Sequence, residues 1–599
     1  MSGTNSIDLN MVLGAKEESL AAEISSLFTE WRSAAAGAYE RWKETTKYVY
    51  ATSTKETSNS SNGHDHSTHL PVITQIKDNL EANYMEALFP SDDWFVFKGF
   101  DLKSSFADKR KVVESYLKTK HDLSGFTSTI QRLVSDWVLY GNCFAGVTYE
   151  QQQHEQEDGS NPYGFVGPRV YRISPFDIVF NPLATSFENS PKIIRSVKSL
   201  AELTRDVQEK PSLGYSQEII DRVINSREVL STHKDIDVDK AFNTSFEGFG
   251  NPSSYYKSGK VEVLEFYGDI WDKESKQFLK NYVITVVDRR WVIRAQPLNT
   301  WTGRPHLFHC GWRTRPDNLW AMGPLDNLVG MQYMINHLEN ARADAFDMML
   351  SPDRVFQGTV ENIEQINGSL HYFVGEQGNV HNLAPDTTVL NADFQIQTKQ
   401  GQMELSAGAP REAAGFRTPG EKTAFEVSQL MTAASRVFQH KINYFSREFV
   451  EKLLEAEIET ARQNLDTVDI IEIVEDEYGI SEFITVSKED INANGRLRAV
   501  GSRHYARNNQ LAANLAQFSQ QLAQDQLMQQ HFPSERLAKA WENLLGFGNL
   551  DLMQPYGRVA EQLELQRLSS VASQWASEEA MTPTEEDTMP MGGEDAAQY

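Results

Sequence analysis

Residues 323–350, GPLDNLVGMQYMINHLENARADAFDMML, mark the point at which a strand-rich pattern gives way to a long helix. Apolar side chains recur there every three or four residues, which is the spacing of one helix face. This apolar stripe comprises Leu325, Leu328, Met331, Ile335, Leu338 and Ala345. Ser351-Pro352-Asp353 follows, and proline disfavours helical backbone in the residue before it. The pattern therefore predicts one helix over 323–350.

The segments after this helix alternate in type. Residues 351–392 read as short strands and turns, and residues 393–408 as a second helix, rich in glutamine and containing Gly401. Glycine, proline and threonine recur over 409–422, which is typical of a loop. The predicted order is helix, short strands, helix and loop.

The strongest helical pattern of the chain comes next. It begins at a capping box, Thr423-Ala424-Phe425-Glu426, in which each polar side chain bonds a backbone N–H group of the other residue. It runs to about Asn464, roughly 60 Å at 1.5 Å per residue. Strands at 468–474 and 483–486 complete a segment over 423–499. Further helices are predicted over 500–577, and the acidic residues 578–599, without Lys or Arg, predict a disordered tail.

The N-terminal side of the chain begins with helices and continues with strands. The helical patterns cover 15–50, 71–88 and 105–140, and the last of them stops at Gly141-Asn142. The predicted strands are 94–97, 143–149, 169–173, 178–180, 261–267 and 282–287. A helical insert is predicted at 198–230 and a loop at 241–260. The whole chain therefore predicts an α+β fold that is mainly helical.

Composition narrows the class of protein. The chain has 599 residues, with 57 Lys and Arg against 83 Asp and Glu, a net charge of −26. Hydrophobic residues make up 40%, so a chain that is disordered throughout is excluded. Two cysteines favour a reducing compartment over a disulfide framework. The first residues carry no apolar signal core, and no apolar run approaches the roughly 18 residues of a membrane helix. The acidic charge argues against general nucleic-acid affinity.

No motif gives an enzymatic signal above background, so no catalytic residue, cofactor or metal is predicted. The nearest approach is GFRTPGEKT at Gly415–Thr423, because a phosphate-binding loop needs lysine directly after its second glycine. Glu421 intervenes and would place a carboxylate at the phosphates, which favours a flexible loop. Cys143 and Cys310 have no cysteine near them in sequence and read as small core residues.

Three polar groups of residues each leave two readings open. His64, His66 and His69 lie in a polar loop that is either solvated or an adventitious or intersubunit metal site. Asp344 and Asp347 lie on the helix predicted over 323–350, on a face that is exposed either to solvent or to a wide aqueous channel. The clearest basic patch either pairs with acidic neighbours on another subunit or contacts nucleic-acid phosphates. It consists of Arg496, Arg498, Arg503 and Arg507.

Five short motifs occur in a fixed order along the chain. They are ALFPSDDWF at Ala87–Phe95, WVLYGN at Trp137–Asn142, SPFDIVFNP at Ser174–Pro182, WRTRPDNLWAMGPL at Trp312–Leu325 and RTPGEKTAFEV at Arg417–Val427. Their order and spacing resemble those of the portal proteins, or head-to-tail connectors, of tailed bacteriophages, the short-tailed type in particular. The resemblance spans about residues 80–510.

The resemblance implies a ring, usually of twelve subunits, at one vertex of the capsid. Such a ring has a central channel for packaging and ejection of double-stranded DNA, and it binds the terminase, tail adaptor proteins and the major capsid protein. It implies no catalytic activity, no cofactor and no membrane. The expected location is the portal vertex of the virion, after assembly in the host cytoplasm.

The resemblance also implies an assignment of segments. These are the wing at 1–322, a stem helix at 323–350, the clip at 351–392, a second stem helix at 393–408, a tunnel loop at 409–422, a spine helix with wing strands at 423–499, a crown at 500–577 and the acidic tail at 578–599. Arg417 and Lys422 are the candidates for gripping DNA, and Asp344 and Asp347 those for an acidic channel wall.

Two other classes stay open. The near-miss phosphate loop allows an ATP-driven DNA-translocating or DNA-processing enzyme, which nucleotide binding and hydrolysis would identify. A different capsid-associated adaptor or scaffold protein is also compatible with the sequence. The shape of the purified particle separates that class from a portal.

Overall fold

The structure, a computed structural model, describes residues 17–50, 66, 68–89, 94–99, 105–151, 165–209, 213–232, 252–272, 276–298, 300, 302–350, 353–357, 379–383, 392–408, 437–465, 469–475, 480–486, 491, 495–499 and 567–570. Helices and strands are mixed and helices predominate, which confirms an α+β composition. The chain divides into two compact units, 1–473 with 483–505 and 474–482 with 506–599. In the second unit the described part includes a helical turn at 567–570.

The elements alternate between helical and strand-rich stretches. The helices of the described residues are α1 (Glu17–Ala34), α2 (Ala36–Val49), α3 (Val72–Leu88), α4 (Ser105–Ser124), α5 (Phe126–Tyr140), α6 (Leu200–Glu209), α7 (Gln217–Thr232), α8 (Pro252–Lys257), α9 (Val329–Leu350), α10 (Ala392–Ala407) and α11 (437–464). The strands are β1 (Phe95–Gly99), β2 (Asn142–Gln151), β3 (Val166–Ile173), β4 (Ile178–Phe180), β5 (Lys192–Ser199), β6 (Lys260–Asp272), β7 (Gln277–Val287), β8 (Trp291–Pro297), β9 (Leu307–Gly311), β10 (Arg313–Arg315), β11 (Asn318–Met322), β12 (Asp353–Gln357), β13 (Asn379–Leu383), β14 (Asp469–Glu475), β15 (Ile480–Val486) and β16 (Gly495–Ala499).

Two helices predicted as single are each divided. The predicted helix 15–50 breaks at Ala35, whose N–H lies 3.2 Å from the carbonyl oxygens of both Trp31 and Arg32. The predicted helix 105–140 breaks at Gly125, which has φ +68°. A positive φ interrupts a right-handed helix, and glycine adopts it without steric cost.

The strand-rich region holds an antiparallel sheet with the order β4-β5-β6-β7-β8 and a second sheet with the order β3-β2-β9. Strands β5, β9, β10 and β11, and β16 later in the chain, were not among the predicted strands. The predicted helical insert at 198–230 is corrected, because its first two residues end β5 and the rest forms two helices, α6 and α7. The predicted loop 241–260 is corrected in part, because it contains α8.

The helix predicted over 323–350 starts later than expected, at Val329. Residues before it form turns, in which Gly323 N donates to Asp326 Oδ2 at 3.0 Å and Leu328 N donates to the Leu325 carbonyl at 2.8 Å. Leu325 and Leu328 are nevertheless fully buried. Their apolar spacing reflects a packed turn, so periodicity alone placed the start six residues too early.

The helix predicted from Thr423 ends at Asn464 as expected, while its start lies outside the described residues. Within α11, Ser446–Val450 form a π-helical turn, in which Glu451 N bonds the carbonyl of Ser446. A π turn holds one residue more than an α turn. The hairpin β14–β15 follows, and β16 pairs with β1 from the N-terminal half. The predicted crown is outside the described residues except at 567–570, and the acidic tail lies wholly outside them.

Within the described residues, three apolar clusters form the core. The largest joins α3, α4 and α5 to α9, α10 and α11. A second packs α1, α6 and α7 against the five-stranded sheet. The third is aromatic and lies between α2 and the β2–β9 region, with Trp42 and Trp320 at a centroid distance of 5.5 Å.

The end of α5 meets the segment before α9 at a contact between two glycines. Gly141 has φ +70°, and a Cβ there would lie 2.3 Å from the backbone nitrogen of Gly323. Next to it, Asn142 is fully buried and makes four hydrogen bonds, to Tyr140, His309 and twice to the backbone of Ala321. Because no side chain separates the two backbones, this contact fixes the position of the segment that leads into α9.

A buried hydrogen-bonded pair joins α4 to α11. His121 Nε2 lies 2.8 Å from Glu457 Oε2, and the side chains are 7% and 0% exposed. The imidazole stacks on Phe126 at a centroid distance of 4.0 Å, with Trp94 on it as well at 5.8 Å. In apolar surroundings of this kind, each of the two polar groups depends on the other for its hydrogen bond.

Candidate functional site

Helices α9 and α10 form a hairpin and lie in the two segments that the resemblance assigns to a stem, an assignment that stays a prediction. The strands β12 and β13 between them pair antiparallel from Asp353↔Leu383 to Gln357↔Asn379, and the rest of the predicted clip lies outside the described residues. The helices pack on each other, and Arg342 of α9 bonds both Glu339 and, from α10, Asp393. On α10 one stripe is buried, formed by Ala392, Ile396, Met403 and Ala407.

A ladder of polar side chains covers a second face of α9. Gln332, Asn336 and Asn340 are fully buried, and Asp344 follows at the same spacing of four residues. Side chains four apart lie above one another on a helix. We call these four residues together with Asp347 the amide ladder, after its three amide side chains. This ladder was not predicted, although glutamine and asparagine at intervals of four residues are visible in the sequence.

The amide ladder binds the backbone of an extended segment, residues 66 and 68–71, which we call the strap. Ile73 N at the start of α3 donates to Gln332 Oε1 at 3.2 Å, and Gln332 Nε2 donates to the Leu70 carbonyl at 2.5 Å. Further along α9, Thr68 N donates to Asn340 Oδ1 at 2.7 Å. The ladder therefore satisfies backbone groups that neither a helix nor a sheet satisfies.

The two described histidines of the predicted cluster belong to the strap. His66 N donates to Asp344 Oδ1 at 3.0 Å, and its Nε2 lies 2.6 Å from Asp347 Oδ2. His69 Nδ1 lies 2.9 Å from Asn336 Nδ2, and burial lowers the pKa of His69, opposed in part by a hydrogen bond involving the Tyr48 backbone. His64 is outside the described residues.

The metal reading of the histidine cluster gains no support from this geometry. Across the described segments, no group of three or more His, Cys, Asp or Glu side chains is placed to hold a metal ion. His66 and His69 instead contact different positions of α9, one a carboxylate and the other an amide. The strap is a docked segment rather than the solvated loop that its composition suggested.

Asp344 and Asp347 are thus partly engaged by their own chain. The side chain of Asp347 remains 64% exposed beside His66. Their assignment to an acidic channel wall stays a prediction, and Arg417 and Lys422, the predicted gripping residues, lie outside the described part of the chain. The GFRTPGEKT loop lies outside it as well.

The basic patch is described in part. Arg496 and Arg498 lie on β16, opposite Lys98 and Val96 of β1, and both are exposed while Leu497 between them is buried. Arg496 Nε lies 3.8 Å from Glu455 Oε1, with both side chains largely solvated, so the pair contributes little. Arg503 and Arg507 are outside the described residues.

The two cysteines face each other. Cys143 of β2 and Cys310 of β9 are directly opposite in the strand register, both buried and both free thiols. The Cys143 thiol lies 3.6 Å from the Cys310 carbonyl oxygen, and burial raises the pKa of Cys143 well above its usual value. A thiol of this kind is unreactive, which confirms the reading as small core residues.

Large apolar side chains are exposed where the α9–α10 hairpin turns. We call them the apex patch, and they are Phe346, Met348, Met349 and Leu350 of α9, Val355 of β12 and Phe394 of α10. Leu350 is 71% and Phe394 77% exposed. Scattered surface apolar residues need no explanation, but a group at one end of a hairpin is typical of an interaction surface.

No helix in the described part of the chain is long and apolar enough to cross a membrane. A comparison of the sequence with protein-family models finds no match. A search of curated proteins likewise finds no significant relative. The interpretation of the chain's function therefore depends on its motifs, the α9–α10 hairpin, the amide ladder and the apex patch.

Proposed function

We propose that the chain is the portal subunit of a tailed bacteriophage and assembles, typically as a twelve-membered ring, at one capsid vertex. The observation that carries the proposal is the α9–α10 hairpin, with a β-ribbon at its turn and the exposed apex patch around it. It falls in the order expected for stem, clip and stem in the five-motif resemblance. Double-stranded DNA passes through the ring during packaging and ejection.

The exposed surface of the hairpin supports assembly. Six large apolar side chains in water at one end of a hairpin are costly unless a partner covers them. In a closed ring each subunit presents one face to its neighbour and a different face to the next, so such interfaces are heterologous. On α9, Tyr333 and Met334 are also partly exposed and belong neither to its buried apolar residues nor to the ladder.

The acidic charge fits the same proposal. A net charge of −26 per chain repels phosphate, which suits a protein that DNA slides through rather than one that holds it. We propose the terminase and the tail adaptors as partners at the clip, and the major capsid protein as the neighbour at the vertex. The proposed location is the virion, after assembly in the host cytoplasm.

Electron microscopy of the purified protein in negative stain tests the proposal. We expect rings with a central hole of roughly 20–40 Å, wide enough for a DNA duplex. A monomer would favour the adaptor or scaffold class, and a filament would contradict closed symmetry. We assign the chain no catalytic step, and nucleotide hydrolysis by the purified protein would contradict that assignment.

Phe346→Glu is expected to prevent ring formation. Phe346 is 55% exposed in the apex patch, so a charge there is harmless to the monomer but is desolvated in an apolar subunit contact. The matched control is Phe278→Glu on β7, where the side chain is 57% exposed far from the hairpin in sequence. Size-exclusion chromatography with light scattering reads the assembly state. Equal assembly of both variants would exclude the apex patch as a subunit contact.

Arg417→Ala and Lys422→Ala test the proposed grip on DNA. If these side chains contact phosphates transiently, removing both is expected to lower genome retention in assembled particles while rings still form. Packaged DNA per particle is the measurement. Unchanged packaging and retention would show that these two residues do not grip DNA, without affecting the ring proposal.

A further inference from the structure

The hydrogen bonds around Asn336 leave a single arrangement of donors and acceptors. Asn336 Oδ1 accepts from Gln332 Nε2 at 2.9 Å and from the Leu70 backbone N–H at 3.3 Å. Because a backbone N–H can only donate, the oxygen of Asn336 must face Leu70. The amide nitrogen Nδ2 then faces His69 Nδ1 at 2.9 Å and donates to it.

His69 must therefore be neutral at this site, with Nδ1 as an acceptor. A protonated imidazole donates from both nitrogens and would present its N–H to the N–H of Asn336. Rotating the Asn336 amide would not help, since the Leu70 N–H and Gln332 Nε2 would then face a donor. Asn336 is fully buried, so water does not replace the lost bonds.

We propose that the strap is a pH-sensitive latch on α9, closed by neutral His69 and opened when that imidazole is protonated. Opening releases the backbone N–H groups of Thr68, Leu70 and Ile73 from the amide ladder of α9. This inference concerns the fold of one subunit and does not depend on the proposed function.

The other titratable groups around the strap act differently. His66 lies against Asp344 and Asp347, so its contact strengthens on protonation. Tyr48 of α2 lies at a ring-centroid distance of 6.3 Å from His69, and burial raises the pKa of that tyrosine, with smaller contributions from Glu44 and Tyr333. Neutral Tyr48 presents no charge to His69. Acid therefore opens the latch at His69, whereas at His66 it strengthens the contact between the strap and α9.

The direction of the pH effect follows from linkage. Burial lowers the pKa of His69 from its usual 6.5, so the released strap binds a proton more readily than the docked one. The stabilisation that His69 contributes to docking is complete above pH 6.5. It is lost as the pH falls through the lowered pKa of the docked state.

Hydrogen exchange of the full chain tests the latch. Peptides covering 66–76 are compared at pH 7.5 and 5.0, after correction for the intrinsic rates. We expect exchange at Thr68, Leu70 and Ile73 to accelerate about tenfold or more at pH 5.0. The loss of one buried hydrogen bond changes the population of the released strap by about that factor. A peptide from α7 serves as the internal reference for general acid loosening.

Three variants locate the effect. His69→Asn keeps an acceptor near the position of Nδ1 without a titrating group, and we expect it to stay protected at both pH values. Asn336→Ala is expected to lose protection at both. His66→Gln removes the contact that acid strengthens, so we expect it to lose protection at pH 5.0 at least as strongly as the wild type. Equal protection of the wild-type strap at pH 7.5 and 5.0 would overturn the latch, as would an unaltered acid response in His69→Asn.

Discussion

Gly141→Ala is expected to destabilise the first unit by more than about 4 kcal/mol, a range that few single substitutions reach. Its Cβ would lie 2.3 Å from the nitrogen and 2.7 Å from the Cα of Gly323, and 2.5 Å from the carbonyl carbon of Met322. All three are backbone atoms, so no side chain can rotate away. The left-handed φ of +70° adds a further penalty of about 1–2 kcal/mol. Soluble yield and apparent melting temperature are the measurements.

Gly125→Ala is the matched control for this substitution. Gly125 has nearly the same φ, +68°, but a Cβ there meets nothing within 4 Å. It should therefore show the backbone penalty alone, about 1–2 kcal/mol. If the two variants melt alike, the contact between Gly141 and Gly323 is not as close as described.

Glu457→Ala is expected to cost about 3–5 kcal/mol, because it leaves the buried His121 imidazole without its hydrogen-bond partner and opens a cavity at a fully buried position. In a unit of nearly 500 residues this lowers the melting temperature by about 3–5 °C, taking about 2.1 cal/mol/K per residue. The effect is large because His121 is enclosed by aromatic rings and water does not reach it. Thermal unfolding followed by tryptophan fluorescence measures it.

Replacing both partners separates the effect of the polar pair from that of the cavity. The double variant His121→Phe, Glu457→Met keeps most of the volume and removes both polar groups. Glu457 Oε1 and His121 Nδ1 each lack a hydrogen-bond partner among the described residues, so the pair is only half satisfied. We expect the double variant to recover most or all of the loss. A double variant as unstable as Glu457→Ala would contradict this account.

Local signals in the sequence predicted much of the fold. The stop at Gly141 and the end of α11 at Asn464 are set by residues within one turn of the element, and both were predicted. Strand β5 was missed because its sequence, KIIRSVKS, buries a lysine and exposes a valine, against simple alternation. Helix α8 was missed because a distant contact holds it, with the Tyr255 hydroxyl bonding Asp288 at 3.1 Å.

The candidate site was less predictable, because its bonds join distant parts of the chain. Gln332 and Ile73 are 259 positions apart, and Asn336 and His69 are 267 apart. Composition suggested that the histidine loop is solvated, whereas buried amide side chains of α9 bind its described part, the strap. The acidic residues of α9 were recognised. The face of α9 that the strap covers could not be predicted, because no local pattern in the sequence connects the strap to α9.

The π turn at Ser446–Val450 has a consequence for how the gene tolerates the deletion of a single codon. Deleting one residue from a regular buried helix rotates everything beyond it by about 100°, which turns core side chains towards water. At this turn the helix already carries one residue in excess, so a single-codon deletion converts it to an ordinary α turn. Phe445 before it and Leu453 after it would keep their buried faces. A long internal helix thus contains a place where a length mutation is absorbed rather than propagated.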